Sequence, residues 1–171
     1  ILYFAPFAIV SACVDPPTTS FRQLVTSAPT VFTFQVTSAS YVRESLGGGT
    51  YTEYVVGEIR VVEELKGEAS QFKRIKYSFR GCGSVRISVG QLYLAATSQA
   101  GPQLHLWGTD QAILDLTRDF YHENGRQSRA VQVVKSVISG AAVPEDFPRA
   151  ELESPLVVYP APPPPPSPED G

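Results

Sequence analysis

The chain has 171 residues, 14 basic and 17 acidic side chains, a net charge of −3 and a pI of about 5.4. That acidic balance argues against a nucleic-acid surface, and two cysteines are too few for a disulfide-dense scaffold. Aromatic and β-branched residues are plentiful in the apolar set, which favours strands.

Ile1–Ala12 is an uncharged apolar run that closes on Val10-Ser11-Ala12, small residues that suit signal-peptidase cleavage before Cys13. It is too short to span a bilayer, which takes about 20 residues. Residues 1–12 are therefore expected to be the remnant of a secretion signal whose start is missing, and the protein to be secreted or held at the cell envelope. Residues 13–143 are long enough for one domain with one core. Residues 144–171 hold ten of the 15 prolines and are expected to form a disordered or polyproline II tail.

Within the domain, Val31, Phe32, Phe34, Val36 and Val42 predict a strand between Pro29 and Arg43, and Gly47-Gly48-Gly49 a turn. Tyr51–Leu65 carries the strongest strand pattern, with Val55, Gly57, Ile59 and Val61 on one face and Tyr54, Val56 and Val62 on the other. A third strand is predicted over Phe72–Phe79, where Ile75, Tyr77 and Phe79 oppose the basic Arg74 and Lys76. Gly81-Cys82-Gly83-Ser84 allows a tight bend, and Leu92–Ala96 and Leu104–Trp107 predict two more strands. Asp110 is a good N-cap for a helix to about Tyr121, stopped by Asn124-Gly125. A second helix is predicted from Gln127 to Ser139, with an apolar stripe through Ala130, Val131, Val134 and Val137 and Gly140 behind it. Five antiparallel strands followed by helices point to a small barrel or sandwich.

The chemistry centres on Cys13. At a new N-terminus it has three fates: acylation as a lipoprotein anchor, a disulfide to Cys82, or a free amine and thiol able to chelate metal. Catalysis has little support. His105 and His122 lack metal-ligand spacing, Ser84 lacks a nucleophile-elbow context, and the glycine triplet lacks the Lys-Ser/Thr of a phosphate loop. Glu63-Glu64 and the Asp115, Asp119 pair read as solvated faces. The expectation is a binding protein, not an enzyme, with no cofactor and no metal of its own.

From Cys13 to about Trp107 the chain resembles the netrin-like domain of tissue inhibitors of metalloproteinases. The resemblance rests on the start Cys13-Val14-Asp15-Pro16-Pro17 and on Gly57-Glu58-Ile59-Arg60-Val61-Val62-Glu63-Glu64-Leu65-Lys66-Gly67. It rests also on Cys82-Gly83 followed by Val89-Gly90-Gln91-Leu92-Tyr93-Leu94. It implies a mainly β fold with flanking helices, a five-stranded OB-fold barrel, and a disulfide between Cys13 and Cys82. It also implies an inhibitory ridge in which the amine and carbonyl of Cys13 chelate the zinc of a partner metalloprotease while Val14 enters the adjacent pocket. Asp15 stands where such inhibitors carry a second cysteine, a departure from the pattern. The alternative is a bacterial lipoprotein, with Val10-Ser11-Ala12-Cys13 as its lipobox, an OB-fold binding module at the envelope and no protease target. Lipidation of Cys13 would then be the one route to a membrane.

Overall fold

The computed structural model describes residues 20–77, 87–106, 111–117 and 128–148. The chain is mainly β with two flanking helices. It opens on α1 (Phe21–Ser27), a helix that local chemistry explains. The Ser20 hydroxyl accepts the Gln23 N–H while the Gln23 side chain takes the Ser20 N–H, a capping box that satisfies two end donors. Its buried side chains, Phe21, Leu24 and Val25, have the three- and four-residue spacing of one helix face.

Six strands follow: β1 (Thr30–Gly47), β2 (Thr50–Lys66), β3 (Arg74–Tyr77), β4 (Leu92–Thr97), β5 (Gln103–His105) and β6 (Gln111–Asp115); α2 (Arg129–Ile138) ends the series. The sheet order is β5-β3-β2-β1-β4-β6. All neighbours are antiparallel except β3 and β5.

Four register shifts interrupt the β1–β2 ladder. Leu65 and Val62 are extra residues on β2, and Thr37 and, next to the tip, Leu46 are extra residues on β1. Each bulge adds local right-handed twist, and the accumulated twist coils the sheet. Coiling gives it two unlike faces. Side chains from all six strands meet on the inner face, among them Phe32, Phe34, Ile59, Ile75, Tyr93 and Leu104, with the partly buried Ile113 of β6 against them. Phe32 stacks on Phe72 at 5.1 Å and Phe34 on Tyr93 at 5.5 Å. Burying one such side chain is worth about 1.5–3 kcal/mol.

The outer face carries Val31, Leu94 and Leu114, which pack against α1 and α2. On α2 the stripe Ala130, Val131, Val134 and Val137 is buried, as its spacing requires, and Ser128 caps the helix by accepting the Val131 N–H. The packed chain continues beyond α2. Phe147 meets Phe21 edge-on at 6.1 Å, and the Arg22 guanidinium donates to the carbonyls of Val143 and Glu145.

Two expectations need correction. The helix from Asp110 to Tyr121 is replaced over its first part by β6, whose Leu114 and Ile113 pair with Leu94 and Ala95 of β4. Leu114 reaches the outer core and Ile113 the inner one, so alternation across an open strand edge outweighs the N-cap signal of Asp110. Phe120, Tyr121 and Asp110 itself lie outside the described residues. The strand count is also six, not five, and the described strands form an open sheet.

Candidate binding surface

The residues singled out for chemistry, Cys13, Val14 and Cys82, lie outside the described residues. The structure does place both ends of the segment that carries Cys82. Tyr77 closes β3 and Ile87 opens the approach to β4; the Tyr77 hydroxyl donates to the Ile87 carbonyl at 3.3 Å. Next to it the Ser88 N–H donates to the Tyr93 oxygen, and the Tyr93 hydroxyl donates to Gln91 Oε1, each at 2.9 Å. Gly90 N–H then donates to the Val36 carbonyl at 2.7 Å, fixing the same stretch to β1.

Burial dominates the titration of both tyrosines. It raises Tyr77 above the ordinary phenol value. It pushes Tyr93 up to about 12, with a smaller contribution from the Asp115 carboxylate and some opposition from the Ser88 N–H. Both stay neutral across the physiological range and act as fixed hydrogen-bonding pins. Tyr77, Ile87, Ser88 and Tyr93, the described residues next to 78–86 in the chain, are thus tied in place by side-chain hydrogen bonds.

These ties stand at the base of a projecting ribbon. β3 stops at Tyr77, opposite Val55, and β4 begins at Leu92, opposite Gln35. Among the described residues, β1 and β2 continue without another strand beside them past the Tyr41–Val55 pair for about 20 Å. Tyr41, Val55 and Tyr77 are directly opposed across three strands, so the ribbon's Tyr41 face continues the inner face of the sheet.

Along this face runs a pre-ordered row. The Arg43 guanidinium lies 4.1 Å from the centroid of the Tyr51 ring and 3.7 Å from Glu53, whose Oε1 accepts the Tyr41 hydroxyl at 2.6 Å. Tyr41 and Tyr51 nonetheless remain about half exposed, at 54 % and 50 %. Tyrosine and arginine are enriched among the few side chains that carry most of the binding energy at protein interfaces. The opposite face has its own contacts. Lys76 Nζ sits 3.8 Å from the Tyr54 ring centre, and the Tyr54 hydroxyl donates to Glu44 Oε2. Desolvation, then the Glu44 carboxylate, raises Tyr54. Gly47, Gly48 and Gly49 close the tip with φ of 87°, 57° and 79°, angles that disfavour any residue with a Cβ.

Other candidates fall elsewhere. His105 is half-buried on β5, where its backbone N–H and carbonyl pair with the Gln99 carboxamide at 2.8 and 2.9 Å. Glu63 pairs with Lys135, and Glu64 accepts the Ala69 N–H. Among the described residues no group of three His, Cys, Asp or Glu side chains is placed to hold a metal, and no helix is long and apolar enough to cross a membrane. No protein-family model matches the chain, and a search of the curated proteins finds no match.

The Tyr41, Arg43, Tyr51 row was not among the residues expected to function. Its signal was present. Folding the chain back about Gly48 pairs Arg43 with Glu53 and Ser45 with Tyr51, which puts two tyrosines and an arginine on one face.

Proposed function

We propose that the chain is an exported netrin-like binding domain of OB type, related to tissue inhibitors of metalloproteinases, that acts on a protein partner and performs no catalysis. Sheet order is the observation that carries this reading. In β5-β3-β2-β1-β4, with β3 and β5 parallel, one further pairing between β4 and β5 would turn the row of strands into a five-membered ring. Leu104 of β5 and Tyr93 and Ala95 of β4 already share a core, and Gln99, between those strands, supplies strand-like hydrogen bonds to β5.

The site follows from the same frame. Tyr77 and Ile87, which flank the stretch bearing Cys82 in the chain, and the ribbon face bearing Tyr41, Arg43 and Tyr51 lie at one end of the sheet. A Cys13–Cys82 disulfide would add the N-terminus to that end and hold it rigid, lowering the ordering cost of binding. Cys13 and Val14 then form the ridge. The α-amine of Cys13 is a suitable donor to the open coordination position of a catalytic zinc, which makes a zinc metalloprotease the partner of choice. The metal belongs to that partner, and the chain itself needs no cofactor.

Intact mass of the mature protein and an inhibition assay test this. The expected mature chain begins at Cys13 with a free amine and is two hydrogens lighter than the reduced form. Inhibition of a metalloprotease panel should weaken at least about tenfold in a Val14→Gly variant, a loss near 1.4 kcal/mol. An acyl-bearing Cys13 peptide would overturn the proposal in favour of an envelope lipoprotein, and an unchanged inhibition constant would remove the ridge.

A further inference from the structure

We draw no further inference here: the strongest candidate, the exposed tip of the β1–β2 ribbon, where Leu46 is 64 % and Tyr51 50 % exposed on either side of Gly47-Gly48-Gly49, carries none because nothing in the structure shows what covers it.

Discussion

Tyr93 offers a measurement in which one atom is removed and two effects of opposite pH behaviour are read. Tyr93→Phe keeps the ring stacked on Phe34 and deletes the oxygen that accepts the Ser88 N–H and donates to Gln91. Leaving a buried partner unsatisfied costs about 1–3 kcal/mol; Ser88 is exposed, so water takes its place and the loss falls near 1 kcal/mol. The second effect is the proton. Burial first, then the Asp115 charge, raises Tyr93 from 10.0 to about 12, so the folded protein holds the phenol proton more tightly than the unfolded chain does. That contribution is complete below pH 10 and disappears as pH climbs through 12. Two units correspond to about 3 kcal/mol at most, and solvent screening of a partly buried phenol reduces this to about 1–2 kcal/mol. Urea unfolding of both proteins at pH 7 and about pH 11.5 should show Tyr93→Phe less stable at pH 7 and the gap closing at high pH. Groups common to both chains cancel in that difference. A gap that is the same at the two pH values would refute the account of Tyr93 as a buried neutral pin.

Three further outcomes are expected. Gly57→Ala places a Cβ 2.6 Å from the Ser38 carbonyl oxygen and 3.1 Å from Ile75, so β1 and β3 must both yield; thermal unfolding should report a loss of about 1–3 kcal/mol. Leu104→Ala empties a fully buried site between β5 and the rest of the inner core and should cost about 2–5 kcal/mol by urea titration. The double substitution Tyr41→Ala and Tyr51→Ala should move stability by less than about 1 kcal/mol, since both rings are half exposed, yet weaken partner binding at least about tenfold by calorimetry.

The strands were legible where alternation was undisturbed. Ile75 and Tyr77 are buried while Arg74 is exposed and Lys76 half-buried, as their order in the chain demands. The hairpin was legible as well, because Gly47-Gly48-Gly49 lies midway between two strand patterns. β6 was not, since Ile113, Leu114 and Leu116 fit a helix as readily as a strand, and only the open edge of β4 decides between them. α1 had a visible signature in Ser20-x-x-Gln23, but the helix spans only seven residues, too few for a periodicity to establish itself. The bulges at Thr37, Val62 and Leu65 leave no local signal. They arise from how two long strands share a coiled sheet, and they determine that Val62 is exposed while Val61 packs inward.

The glycine tip of the ribbon has a practical consequence. A protease cutting there would sever the backbone without removing a residue from either core, because the outermost pairs lie on exposed strand. The pairing of β1 with β2 from Val31 to Gly47 would still join the two pieces. Such a nicked protein would run as one species in gel filtration and as two bands under denaturing electrophoresis. The same geometry makes the tip the place to insert a reporter, or to divide the chain into halves that reassemble.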